Sequence, residues 1–325
     1  GGRWQAAIGL AFLALAACAG KEKNESVPLG EPVSRFTIGQ IIETATGHSR
    51  SLEQLGSMLR RQEVIYLGEE HHNRFHIEAA RMVVEQLIAD GRRPVLAMEM
   101  FGWDGQAALD QYLGPEDLGR EAFLTAVQWK QNWGGPFEDY EPLVQLAKER
   151  HLSLVAMNPP KIVVRKVAKQ GLEEARRSPE MEQWDLQGEV YVEDSAYRAR
   201  ILHQLKACHD GGQDAMYEKM YEASMLRDEG MAKTLVAQVR NGRNGDDRAA
   251  GPVLSYTGGG HVQYNLPVPK RVARRLDGEV RQVSIYLTSF DHSRTEEVRE
   301  LLDDGIADYV WLTSVGPEGP PRRCR

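Results

Sequence analysis

The amino-acid sequence predicts an α/β fold: a largely parallel central sheet flanked by helices, with a helical cap insertion. Three observations lead there. Six short apolar runs recur, at 64–68, 94–100, 152–158, 252–258, 280–287 and 308–314. Each is unbroken rather than alternating, the pattern of a strand buried on both faces, and helical stretches separate them. Between 158 and 252 no strand is visible, and Glu, Arg, Lys, Ala, Leu and Met dominate. That stretch supplies the cap, at about 161–235.

Taken in order, the chain begins with an apolar run of twelve residues, "AAIGLAFLALAA" at 6–17, behind Arg3. It is too short to span a bilayer and fits the core of a signal peptide. It closes on "LAAC" at 15–18, which resembles a bacterial lipobox with Cys18 as the lipidated residue. The alternative is an ordinary signal peptide that happens to hold a cysteine. On the lipobox reading, 1–17 is removed, 18–33 is a polar lipidated tether, and the rest faces the periplasm or cell surface of a bacterial envelope. Losing 1–17 removes one charged residue, Arg3, so the net charge moves from −7 to −8. The folded domain then spans 34–315, and 316–325 is a disordered tail. Within it, 34–51 predicts a hairpin turning near Thr46 and Gly47. A helix follows, with Ser51 and Gln54 spaced as a capping box. "RNGRNGDDRAAG" at 240–251 predicts an exposed loop.

Composition narrows the function. The apolar share of 42% supports a real core. The chain is mildly acidic and has no basic block, so it lacks the positive footprint that nucleic-acid binding needs. Its three cysteines, Cys18, Cys208 and Cys324, form no CxxC pair, which leaves zinc ribbons, thioredoxin-type motifs and c-type haem attachment without support. Cys208 is expected in the core and Cys324 in the tail; a disulfide between them is the alternative.

Ligands of open α/β sheets sit beyond the carboxyl ends of the strands, and here those ends carry ionisable groups. The first long strand ends in Gly68, Glu69, Glu70, His71 and His72, the second in Glu99, the third in Asn158, and the fourth in "TGGGH" with His261. Imidazole and carboxylate together suit zinc, iron or manganese. Gly68-x-x-His71 and Gly258-x-x-His261 repeat one frame after two separate strands. One such frame means little, since polar residues commonly follow strands; two, with a glutamate at a third strand end, point to a site. His72 and His76 could form a metal pair, but His76 reads as part of a helix face. Trp129 and Trp133 are expected to pack on the sheet. Met216, Met220, Tyr217 and Tyr221 form a stripe that suits a flat apolar cofactor or, more simply, helix core.

"LGEEHHN", the glutamate of "VLAMEMF", "DYEPL" before "AMN", "LRDEGMA" and "GGGHVQYNLPVP" together resemble the ChaN group of the haem-binding uptake and Tiki superfamily, over roughly 36–313. The resemblance implies an iron-regulated bacterial lipoprotein with an α/β fold that dimerises around haem. The related Tiki and TraB proteins imply instead a metal-dependent hydrolase built on two GxxH motifs and a glutamate.

Two functions follow as expectations. In the first, a pocket or dimer seam holds haem or iron for uptake. Tyr140 and Tyr264, which lie in the shared motifs, are candidate axial ligands because tyrosine is a known class of haem ligand. Arg227 is placed to meet an anionic group such as a propionate, or else to pair with a carboxylate such as Glu99. In the second, His71, Glu99 and His261 hold a divalent metal, with Glu69 or Glu70 as general base. Either way His71, Glu99, Arg227 and His261 are expected to line one pocket. No GxSxG elbow is present.

Overall fold

The computed structural model describes residues 32–116 and 118–321. The signal peptide, Cys18 with most of its tether, and Cys324 lie outside the described residues. In chain order the elements are β1 (Ile41–Glu43), β2 (Ser49–Arg50), α1 (Leu52–Leu59), β3 (Val64–Glu69), α2 (Arg74–Ala89), β4 (Arg93–Gly102), α3 (Gln106–Leu113), α4 (Arg120–Ala126), α5 (Trp129–Asn132), α6 (Glu141–Glu149) and β5 (Leu154–Asn158). Then come α7 (Lys161–Gln170), α8 (Leu172–Ala175), α9 (Pro179–Gln183), α10 (Ser195–Cys208), α11 (Asp214–Asn244), β6 (Ala250–Gly258), α12 (Val268–Arg275), β7 (Gln282–Ser289), α13 (Thr295–Asp303) and β8 (Tyr309–Thr313).

The eight strands form one sheet in the order β2-β1-β8-β7-β3-β6-β4-β5. From β8 to β5 neighbouring strands are parallel, whereas the β1–β2 hairpin adds two antiparallel strands at the β8 edge. All six residues of β3 are buried, as its unbroken apolar run requires. Successive side chains serve opposite faces. Ile65 and Leu67 join Leu96, Met98, Leu254 and Ile285 under α1, α2, α3 and α6. Val64, Tyr66, Ala97 and Val253 face α11 and α12. Each such aliphatic side chain contributes about 1.5–3 kcal/mol on burial. The capping box starts α1: Ser51 Oγ accepts from the Gln54 amide at 3.1 Å, and Gln54 Oε1 accepts from the Ser51 amide at 2.8 Å.

The strand-free stretch folds as helices α7 to α11, whose core includes Val163, Val167, Met181, Tyr197, Tyr221 and Leu226. Tyr217 and Tyr221 of the stripe are buried, whereas Met216 is exposed. Two expectations are corrected. The loop at 240–251 is helical through Asn244 and is already strand from Ala250; Arg243 pairs with Glu63 at 2.7 Å and holds that last turn of α11 in place. Cys208 is not in the core: it is exposed and disulfide-bonded, because only Tyr197 and Ile201 of α10 are buried and the helix end runs past the core. Trp129 is buried in the sheet's core and Trp133 packs against it, as expected; Trp133 is half-buried and also stands edge-on to His71 at 4.7 Å.

Candidate functional site

Strand order brings the two GxxH frames together. β3 and β6 are neighbours, with Glu69 opposite Gly258, and β4 lies on the other side of β6. The glycines explain how close the loops come. A β-carbon on Gly68 would overlap Val262 and stand 3.0 Å from Gly259 Cα. One on Gly258 would stand 2.7 Å from His71 Cε1 and 3.5 Å from Glu99 Oε2. Each glycine thus makes room for the partner strand's motif.

Residue alternation sends the two glutamates to opposite faces of the sheet. Glu69, buried, receives His71 Nδ1 at 2.6 Å and the Tyr140 hydroxyl at 3.0 Å on Oε1, and the Tyr256 hydroxyl at 3.0 Å on Oε2. Burial raises the Glu69 pKa, offset only in part by His71 and Tyr256. The His71 side chain is 49% exposed. Burial of its ring lowers the pKa, but Glu69 and Glu99 outweigh that and raise it. With Nδ1 committed to Glu69, Nε2 is left for the cleft.

Glu99 lies on the α11 face. Its Oε2 accepts from Thr257 Oγ1 at 2.6 Å and the Gly258 amide at 2.7 Å, and its Oε1 pairs with Arg227 and lies 3.2 Å from His261 Nε2. Burial pushes this carboxyl up, but His261, Arg227 and His71 outweigh it and hold the pKa well below the usual range. His261 Nδ1 meets Asp228 Oδ1 at 2.5 Å, and Asp228 Oδ2 accepts from the Tyr197 hydroxyl at 2.6 Å. Burial would lower the His261 pKa, but the Glu99 and Asp228 carboxylates raise it to about 9. His261 is therefore an imidazolium clamped between two carboxylates at neutral pH.

His71, Glu99, Arg227 and His261 line one cleft of about 330 Å³, with Met100, Trp133, Asn158, Pro159 and Lys161. Several expected roles do not fit it. Among the described residues no three His, Cys, Asp or Glu are arranged to hold a metal; both Glu99 oxygens and both His261 nitrogens are spent on protein partners. Glu69 is sealed beneath His71 and cannot itself reach a substrate. Glu70 turns away, accepting from the Ser289 amide at 2.9 Å and Thr288 Oγ1 at 3.1 Å. Tyr140 is fully buried and its hydroxyl joins the His72 amide to Glu69, so it offers no open ligand atom. Arg227 pairs with Glu99, the structural alternative. His76 is buried on α2, its Nδ1 accepting from the Glu70 amide at 2.9 Å.

Tyr264 faces a different cavity, of about 710 Å³, whose walls include Arg200, His203, Leu266, Leu301 and Ile306. The Arg200 guanidinium stacks on its ring, 3.5 Å from the centroid. Tyr264 holds φ at +58°, with its amide bonded to the Ile306 carbonyl at 2.6 Å. Sequence reasoning missed Arg200 and His203, as well as Asp228 and Tyr256. The signals for the last two were faint: Asp228 directly follows Arg227, and Tyr256 lies two residues before Gly258.

A solved structure described as cofacial heme binding to ChaN of Campylobacter jejuni superposes with a TM-score of 0.63 at 18% identity, covering 86% of this chain and 98% of that one; at that identity the likeness is one of fold. A mutant of the erythromycin esterase EreC in its open conformation reaches a TM-score of only 0.41 at 13% identity, over 74% of each chain. Protein RETICULATA-RELATED 5, chloroplastic, from Arabidopsis thaliana is 22% identical over 310 residues, 91% of this chain. The chain spans 39% of that relative's length. The family model described as "Haem-binding uptake, Tiki superfamily, ChaN" matches residues 55–272. That span holds both GxxH frames, Glu99, Arg227 and Tyr264, and the chain belongs to this family.

Proposed function

We propose that this protein binds haem for uptake at a bacterial envelope, in the cavity beside Tyr264. One observation carries the site: among the described residues, the Tyr264 hydroxyl, the His203 ring and the Arg200 guanidinium have no hydrogen-bond or ion-pair partner, and all line the same cavity. Ala196, Ala199, Leu266, Leu301 and Ile306 give it apolar walls. Its volume lies in the ~300–1,000 Å³ range of small-molecule sites. A porphyrin needs such a wall for its face, a cation for its propionates and an axial donor for its iron, and tyrosine is one such donor. Tyr264 supplies the donor and Arg200 the cation. The left-handed backbone of Tyr264 costs about 1–3 kcal/mol, which a ligand-holding residue justifies. The cofacial haem of the Campylobacter ChaN structure supports this ligand, and the reading includes a second copy closing over the open side.

Titration with haemin is expected to give a Soret band that Tyr264→Phe shifts or removes and Arg200→Ala weakens about tenfold. Loading is expected to double the mass seen by sedimentation. A band indifferent to Tyr264→Phe but lost in His71→Ala would move the haem to the cleft.

A further inference from the structure

We infer that an arginine-lined basin at the amino ends of β3, β4, β6 and β7 binds clustered phosphate groups, carried by a soluble diphosphate or by the headgroups of an anionic lipid surface. The inference is independent of the haem reading, because it uses other residues at the opposite edge of the sheet.

The sequence holds no basic block, yet the fold assembles one. Arg60 and Arg61 follow α1, Arg92 precedes β4, Arg243 lies in the last turn of α11, Arg248 precedes β6 and Arg281 precedes β7. Parallel strands begin on one edge, so these segments meet. All six arginines line one basin of about 510 Å³, against two carboxylates, Glu63 and Asp247. That is a surplus of four positive charges in a chain whose net charge is −7. Both carboxylates are already engaged. Glu63 accepts from Arg243 Nε at 2.7 Å and Nη2 at 3.1 Å, and Asp247 pairs with Arg93, which does not line the basin. Arg281 donates Nε to the Arg61 carbonyl at 2.9 Å and lies 3.9 Å from Glu63. The side chains of Arg60, Arg61 and Arg248 have no hydrogen-bond or ion-pair partner among the described residues.

Helix ends do not account for so many cations. α1 and α11 both finish here, and a helix C-terminus carries about half a negative charge, so the two offset roughly one of the four. The rest are held together on a fixed floor. Arg92 donates to the carbonyls of Arg248 at 3.2 Å, Ala250 at 2.9 Å and Gly251 at 3.2 Å, which pins the chain entering β6. Such a cluster repels itself, and a multiply charged anion relieves the repulsion. Guanidinium forks match phosphate oxygens in pairs. The wall holds no aromatic side chain and no histidine, so nothing in it stacks on a nucleobase. Recognition therefore rests on the phosphates alone, and a basin of this size lacks the longer track that nucleic acid needs.

The test uses the full chain without haem, carrying Cys18→Ser so that no acyl chain can hold it to a vesicle. Pyrophosphate is titrated calorimetrically, and phosphatidylcholine vesicles with and without phosphatidic acid are tested by co-sedimentation. Pyrophosphate is expected to bind, more weakly as salt rises. Arg61→Gln and Arg248→Gln should each weaken it about tenfold. Both side chains are exposed, so the melting temperature should hold, and either variant alone reads the inference. Arg177→Gln, at an exposed position elsewhere, should leave binding unchanged. Sedimentation with phosphatidic acid that the same two variants reduce assigns a lipid headgroup; pyrophosphate binding without it assigns a soluble diphosphate. The inference is overturned if neither probe binds, if both arginine variants bind like wild type, if Arg177→Gln loses as much, or if succinate binds as tightly as pyrophosphate.

Discussion

His76 shows how a single buried group can set acid sensitivity. Its ring is fully buried in α2, Nδ1 is bonded to the Glu70 amide, and Nε2 makes no hydrogen bond among the described residues, with Glu70 Oε2 4.0 Å away. Burial is the main cause that lowers its pKa from 6.5 to about 4, with Arg294 adding to the effect and Glu70 opposing it. Between those values the unfolded chain binds more protons than the folded one. The stability that the neutral ring confers is therefore complete above pH 6.5 and is lost as pH falls toward 4. From pH 7 to pH 5 the loss is about 2 kcal/mol, at about 1.4 kcal/mol per unit below 6.5. Urea unfolding at both values should show wild type losing that much more stability than His76→Gln; equal losses would refute the assignment. The same loop explains why Glu70 is no catalytic base: its carboxylate is taken up by Ser289 and Thr288, with Arg294 at 3.5 Å.

Helix α11 organises the cap and the cleft together. At 31 residues it is about 46 Å long. Its first half packs in the cap through Tyr221, Met225 and Leu226, and its second half packs on the sheet through Met231, Leu235 and Val236. At the crossover four consecutive residues do different work. Arg227 and Asp228 grip Glu99 and His261, Glu229 anchors α12, and Gly230 lies so close to Pro159 that a β-carbon would overlap it. Glu229 is buried and meets three guanidiniums: Arg274, Arg271 Nε at 3.1 Å and Arg275 Nη2 at 2.9 Å. Removing that one anion leaves the buried Arg271 and two partly buried guanidiniums uncompensated, which costs up to about 3–5 kcal/mol. Glu229→Gln is expected to lower the denaturant midpoint accordingly. A change under about 1 kcal/mol would mean that Glu189, which also pairs with Arg275, carries the cluster instead.

At the level of the assembled protein, the two cavities meet at one loop: Gly260 borders the larger one and His261 the cleft. Any ligand in either therefore rests against the turn that follows β6. The proposed tether adds a second constraint, since a lipid on Cys18 would hold both cavities near a membrane. Labelled palmitate should enter the wild-type protein and not Cys18→Ser, which should accumulate with its leader attached. Equal labelling of the two would remove the anchor from the proposal and leave the haem site to be judged on its own spectra.

Much of the fold was legible because it rests on local pattern. Unbroken apolar runs become buried parallel strands wherever helices cover both faces, and β3, β4, β6, β7 and β8 lie where those runs predict. The Ser51 and Gln54 cap was legible for the same reason, since its partners are three residues apart. The convergence of His71, Glu99 and His261 was also readable, because parallel strands end on one edge. What each group does there was not. Strand order, which no local pattern encodes, put β6 between β3 and β4, so that Gly68 and Gly258 interlock. Pleat alternation on that order assigned Glu69 and Glu99 to opposite faces, gave each a histidine, and used up the atoms a metal would need. Depth decided the tyrosines: two residues of one type in shared motifs, one sealed under His72 and Trp133 and one lining an open cavity, differ only in what the folded chain lays over them.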